Sequence, residues 1–242
     1  MSHNILFIIE GERTEMQIVD SLQNFFVNEN TLIKCVYGGE IYQIYKEIVE
    51  DDDLDTFSLL KERNQTNKEI LKDYTRADFA EIYLFFDYDG HSTLADDNKL
   101  IELIEFFNEE TEKGKLYVSY PMVEALKHIV DFDTFKDLIV PCKESINYKE
   151  LVARCSMKNL INFNKYEFVT WKSIIISHLM KMNYIVTNSY VIPNSLIEQS
   201  VIFSNQMDKY ISPTSSISVL SAFPVFIHDY YGNIVTLKKL LQ

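Results

Sequence analysis

Asn4-Ile5-Leu6-Phe7-Ile8-Ile9, followed at once by Glu10-Gly11-Glu12-Arg13-Thr14-Glu15, is the stretch that decides the fold. A short, nearly continuous apolar run is what a parallel strand covered on both faces requires. The charged cluster ends it, and Ile18, Val19, Leu22, Phe25 and Phe26 then recur at the spacing of one helix face. Thr14 is placed to cap that helix, and acids in its first turn favour the positive end of its dipole. A strand that runs directly into a helix is the opening of a βαβ unit.

The same alternation continues outward. Residues 31–37 (TLIKCVY) read as a second strand, ended by Gly38-Gly39. Ile41, Ile44, Tyr45, Ile48 and Val49 make the next helical face, followed by the acidic run Glu50-Asp51-Asp52-Asp53. That run lacks the spacing of an EF-hand calcium loop and reads as a solvated loop. A helix is predicted over 54–74, a strand over 81–86 (EIYLFF), a helix over 96–111 and a strand over 115–119 (KLYVS). Pro121 suits the first position of a further helix over 122–130. Beyond residue 145 the strands give way to helices predicted over 148–155, 165–182, 195–210 and 215–230. The expected architecture is an α/β domain over residues 1–140, a parallel sheet flanked by helices, with a helical C-terminal portion over 141–242 packed on it.

Composition narrows the function. The chain has 242 residues, 47% apolar and 24% charged, the balance of a globular protein rather than a disordered or fibrous one. No apolar run is long enough to span a bilayer, and the N-terminus has neither the basic segment nor the apolar stretch of an export signal. No membrane association is therefore expected. Cys35, Cys142 and Cys155 form no metal-ligand spacing and read as small core residues, which fits a reducing cytoplasm. Net charge is -13, but residues 1–110 carry 25 acids against 9 bases and residues 111–242 carry 11 against 14. Such a chain repels a polyanion over much of its surface. Nucleic-acid binding then requires divalent cations at a carboxylate cluster, or a partner that supplies a basic groove.

Acids fall where three strands end. Glu10 follows the first, with Glu12 and Glu15 behind it; Asp87 and Asp89 follow the strand over 81–86; Glu124 comes after the strand over 115–119. The carboxyl ends of strands in an open parallel sheet share one rim, where ligands bind. Carboxylates gathered there repel one another unless a cation takes up the charge, and an all-oxygen ligand set suits Mg²⁺ or Mn²⁺. Each acid also has a plainer use. Glu12, Glu15 and Glu124 can be first-turn acids of helices, and Asp87-Tyr88-Asp89-Gly90 can be a turn.

At these residues the chain resembles the Toprim domain of topoisomerases, DnaG-type primases, OLD-family nucleases and related ribonucleases. The motifs are Ile8-Ile9-Glu10-Gly11-Glu12 and Phe85-Phe86-Asp87-Tyr88-Asp89, each closing an apolar strand, and the resemblance covers roughly residues 4–130. It lies nearest the OLD and RloB-like branches of bacterial anti-phage defence, which add an acid after the next strand, matched here by Glu124. The stretch from Glu10 to Asp87 is longer than a minimal Toprim spacing, which assigns an acidic helical insertion to residues 50–75. The resemblance implies a cytoplasmic metal-dependent endonuclease of DNA or RNA. Glu10 would be a metal ligand or the general acid/base, and Asp87 and Asp89 metal ligands. Glu12, Glu15 and Glu124 would be candidates for a second ion, and Lys127, three residues beyond Glu124, would steady a phosphate.

Two other readings stand beside it. Asp87-Tyr88-Asp89-Gly90 also resembles the start of the haloacid-dehalogenase phosphatases, which implies Asp87 as nucleophile; here His91 stands where that family has Thr, and Glu10-Gly11 is left without a role. The third is a non-catalytic Toprim subunit regulated by a separate ATPase partner, since no Gly-Lys-Ser/Thr sequence occurs in the chain. The aromatic stretch 218–231 reads as a buried helix, with an interface to a second copy or a partner protein as the alternative. His91 reads as a loop hydrogen-bonder, and His128, His178 and His228 as structural. Lys149, Arg154, Lys158, Lys165, Lys172 and Lys181 are the candidates for a face that binds a nucleic-acid backbone.

Overall fold

The computed structural model describes residues 3–11, 13–26, 31–39, 41–50, 55–91, 96–233, 238 and 240. Glu12 and the acidic run 51–53 lie outside the described residues. The protein is α/β, with a mostly parallel five-stranded sheet, flanking helices and a helical C-terminal portion. It divides into two compact units, Met1–Phe86 with Asp96–Leu116, and Asp87–Ala95 with Tyr117–Gln242.

The first unit is built on β1 (His3–Ile9), β2 (Thr31–Tyr37) and β3 (Glu81–Asp87, whose last residue belongs to the second unit). β1 is central and pairs in parallel with both neighbours, Ile9 standing opposite Tyr37 on one side and Phe85 on the other. The sheet order is β2-β1-β3-β5-β4, with β4 (Asn108–Glu109) antiparallel to β5 (Gly114–Ser119). Ile5 to Ile9 are fully buried, as the unbroken apolar run requires of a strand covered on both faces. Helix α1 (Thr14–Phe26) buries Ile18, Val19, Leu22 and Phe26, and α2 (Ile41–Glu50) buries Ile41, Ile44 and Ile48, following the predicted faces.

The long helix expected over 54–74 is two short ones, α3 (Thr56–Arg63) and α4 (Gln65–Ile70). Asn64 breaks it: the residue is extended, ends α3 and caps α4 by accepting the Asn67 N–H at 2.8 Å. Asn67, wholly buried, then accepts the Tyr37 N–H and donates to the carbonyls of Tyr37 and Leu60, which ties the end of β2 to α3. The helix expected over 96–111 is shorter, α5 (Asp97–Phe106) capped by Asp96, because the chain turns at Phe107 into β4.

The second unit is mostly helical. α6 (Tyr148–Cys155) matches its expected span, and α7 (Phe168–Thr187) is the longest helix among the described residues. α8 (Gln199–Gln206) continues through a π turn (Met207–Ile211) into the single turn α9 (Ser212–Thr214), and α10 spans Ala222–Tyr231. Two expectations are corrected here. Strands do not end before residue 145, because β6 (Ile139–Pro141) and β7 (Ser216–Ser218) form a two-stranded antiparallel ribbon. The helix expected over 122–130 is instead a 3₁₀ turn over Val123–Lys127, with Pro121 ahead of it rather than inside it. Ala222 to His228 of α10 are buried within the unit, so the aromatic stretch is core.

Candidate functional site

In the first unit Glu10 directly follows β1 and is half-buried. Glu15, in the first turn of α1, is buried, and its Oε1 accepts the Gly11 N–H at 3.1 Å. That bond satisfies a backbone donor ahead of the helix and gives the plainer use of Glu15 a physical content. A Cβ at Gly11 would lie 3.0 Å from Glu15 Oε2, so the carboxylate would have to give by a few tenths of an ångström.

The second unit holds Asp87, Asp89, His91, Glu124 and Lys127. Asp87 closes β3 and is half-buried. Tyr88 turns inward, 3% exposed, and its ring packs 6.2 Å from Tyr120 and 6.1 Å from Phe203. The Tyr88 N–H donates to the Ser119 carbonyl and the Asp89 N–H to the Pro121 carbonyl, so the chain after β3 stays tied to the chain after β5. Asp89 takes a left-handed conformation, φ 42°, which Asp tolerates better than most residues. His91 Nδ1 lies 2.9 Å from Asp89 Oδ1, close enough for an ion pair though outside the angular range of a hydrogen bond. The turn reading thus describes the local backbone, while His91 stands beside Asp89 without a hydrogen bond to it.

Glu124 and Lys127 share the 3₁₀ turn, in which residues three apart eclipse one another. Glu124 is 4% exposed, and its Oε1 lies 3.9 Å from Lys149 Nζ at the start of α6. Lys127 Nζ stands 4.7 Å over the Phe163 ring. Burial lowers the Lys127 pKa, Glu124 opposes that shift and Lys149 adds to it. The three side chains therefore sense one another.

Tyr148 and His128 complete the arrangement; Tyr148 carries no signal in the sequence, and His128 reads there as structural. Tyr148 is buried and its hydroxyl lies 2.9 Å from His128 Nδ1. Burial raises the phenol pKa well above 10, and the carboxylates of Glu124 and then Asp87 raise it further. One buried phenol thus feels two acids from separate stretches of chain. Burial also lowers His128 to about 4, with the Lys181 ammonium adding to the effect, so His128 is neutral near pH 7. Nothing in the local sequence pattern marks Tyr148, since an aromatic at a helix start reads first as core.

A cavity of about 340 Å³ opens beside these groups, lined among others by Asp89, His91, Met122, Glu144, Tyr148 and Lys149. Its polar edge is the segment Glu144–Asn147 ahead of α6, including Asn147 with φ 48°. The one sequence signal for it is the polar stretch Lys143-Glu144-Ser145-Ile146-Asn147 between β6 and α6.

The basic candidates separate. Lys149, Arg154, Lys158 and Lys165 are exposed and Lys172 is half-buried. Lys181 is corrected: it is fully buried and donates to the carbonyls of Phe135 at 2.8 Å and Leu138 at 2.6 Å, which removes it from any binding face. His178 is wholly buried, and His228 pairs with Asn233 Oδ1 at 2.9 Å, both structural. Cys35 and Cys142 are buried and Cys155 half-buried.

Among the described residues, no group of three or more His, Cys, Asp or Glu side chains stands close enough together to hold a metal ion. The donor chemistry of Asp87, Asp89 and Glu124 nevertheless suits a hard divalent cation, being all carboxylate oxygen. Compared with known proteins, the chain matches no family model, no curated protein and no solved structure. Among the described residues no helix is long and apolar enough to cross a membrane.

Proposed function

We propose that the protein is a Mg²⁺- or Mn²⁺-dependent nuclease of Toprim type, hydrolysing phosphodiester bonds of DNA or RNA. The observation that supports this reading is that the carboxylates of Glu124 and Asp87, from two separate chain segments, both act on the buried Tyr148, which lines the cavity together with Asp89. Asp87, Asp89 and Glu124, which form no ready-made metal-binding group, would have to draw together to hold the ion. Glu10, in the first unit, enters through its motif alone. A bound divalent ion supplies charge neutralisation at the scissile phosphate and a more acidic water.

The chain's own groups have separate tasks. Lys127 and Lys149 offset the carboxylate charge near Glu124 and would meet a phosphate oxygen. The Tyr148 phenol stays protonated at neutral pH, so it works as a hydrogen-bonding group and not as an anionic nucleophile. His128 orients it through the 2.9 Å contact.

The test is cleavage of plasmid DNA and total tRNA, alongside a generic phosphatase substrate, with Mg²⁺, Mn²⁺ or EDTA. Metal-dependent cutting that Glu10→Ala and Asp87→Ala each reduce by at least about a hundredfold is expected, from the loss of electrostatic stabilisation. Phosphatase turnover that survives Glu10→Ala would assign the site to haloacid-dehalogenase chemistry with Asp87 as nucleophile. No turnover, together with a co-purifying ATPase, would assign the chain to a non-catalytic subunit.

A further inference from the structure

The cavity in the second unit bears on what kind of nucleic acid the site takes. Its volume of about 340 Å³ is at the small end of ligand pockets, which run from about 300 to 1,000 Å³. That space suits one nucleotide. A base that is paired and stacked inside a duplex presents only its groove edges, and it enters a pocket only after leaving the stack.

The lining fits a base rather than a phosphate. Pro121, Met122, Pro141 and Ile146 give apolar walls on which a flat ring can lie. Asp89 and Glu144 bring carboxylate acceptors, the partners of the exocyclic amino groups of cytosine, adenine and guanine. Those same carboxylates repel a phosphate. Asp89 is also the second acid of the Asp-x-Asp motif, so the cavity begins where the proposed chemistry takes place. Lys149 is on the same wall, 3.9 Å from Glu124 Oε1 but with its side chain 65% exposed, so it can also reach a phosphate outside.

We propose that this cavity receives one unpaired base, and that the substrate of the site is therefore single-stranded DNA or RNA, or an unpaired loop, in preference to duplex. The proposal rests on the nuclease reading for its link to catalysis, though base capture can be measured without it. Bases with an exocyclic amino group are favoured over thymine and uracil, which offer only a carbonyl at the corresponding position.

Fluorescence anisotropy of the full chain in EDTA reads binding alone, using one labelled oligonucleotide both single-stranded and annealed to its complement. Ser145→Trp and Ile146→Trp fill the cavity from an exposed and a half-buried position, and their folding is checked by circular dichroism. Single strand should bind about tenfold or more tightly than duplex, and each filled variant should lose about tenfold for single strand, the worth of one stacked base. A homothymidine strand should bind more weakly than a homocytidine strand of equal length. Equal affinity for duplex, or folded Trp variants that bind single strand as the wild type does, overturns the proposal. The nuclease reading fails separately: cavity-dependent binding without cutting in Mn²⁺ sinks it and leaves the base pocket standing. Metal-dependent cutting of duplex that the Trp variants leave unchanged does the reverse.

Discussion

Gly90 shows how a single position can look like turn punctuation and carry a tighter constraint. In the sequence, Asp89-Gly90 is an ordinary turn pair. In the structure a Cβ at Gly90 would lie 2.3 Å from Tyr88 Cε1 and 2.8 Å from the Cys142 carbonyl oxygen. The Tyr88 ring cannot retreat easily, because it is packed near Tyr120 and Phe203. The carbonyl belongs to backbone and cannot swing away as a side chain does. Gly90→Ala should therefore cost about 2–3 kcal/mol, the upper part of the overpacking range, read as a lower urea midpoint at unchanged m-value. An unchanged midpoint would mean that the loop shifts freely. The positions of Glu10, Asp87, Asp89 and Glu124 were legible because each follows an apolar strand or opens a helical turn. Tyr148 and His128 were not, because their proximity to the acids comes from tertiary packing between α6 and the 3₁₀ turn, which no local spacing encodes.

Helix α7 carries two ionisable groups that its sequence gives no reason to expect in a core. His178 is fully buried, accepts the Ser221 N–H at Nδ1, and has Nε2 3.4 Å from the Leu126 carbonyl. Those partners favour the neutral ring with its proton on Nε2. Burial pushes its pKa down to about 3; the Leu126 carbonyl opposes the shift and the Lys181 ammonium, one turn along, adds to it. Between pH 6.5 and about 3 the unfolded chain binds a proton at this site and the folded chain does not, so stability falls as pH falls through that window. The slope approaches about 1.4 kcal/mol per pH unit for one such group. Urea unfolding at pH 7 and pH 4.5 should show a loss in wild type that His178→Gln reduces by about 2–3 kcal/mol. Equal losses in both proteins would mean that His178 takes up its proton while folded. At the element scale the strands were legible almost to the residue, because burial on both faces demands unbroken apolar runs. The break at Asn64, the turn into β4 and the β6–β7 ribbon were hidden. A short polar cap, a two-residue strand and a three-residue strand leave no periodicity to read.

Charge is a property of the whole chain, and its distribution over the two compact units bears on nucleic-acid binding. The first unit holds 24 acids and 11 bases, the second 12 of each. The entire net charge of -13 thus belongs to the unit that carries Glu10, and the unit with Asp87, Asp89, Glu124 and the cavity is neutral. A neutral unit lets a polyanion approach where a strongly acidic one repels it. Backbone contacts must then come from a few exposed cations, among them Arg154 in the last turn of α6 and Lys158 just beyond it. If they meet phosphates of a single strand, each releases counterions and adds about 0.7 to the slope of log affinity against log salt. Arg154→Ala combined with Lys158→Ala should weaken binding evenly across sequences and lower that slope by about 1.4, measured by anisotropy at several salt concentrations in EDTA. An unaltered slope would place the phosphate path elsewhere on the unit. Weakening confined to particular sequences would mean that these side chains read bases instead.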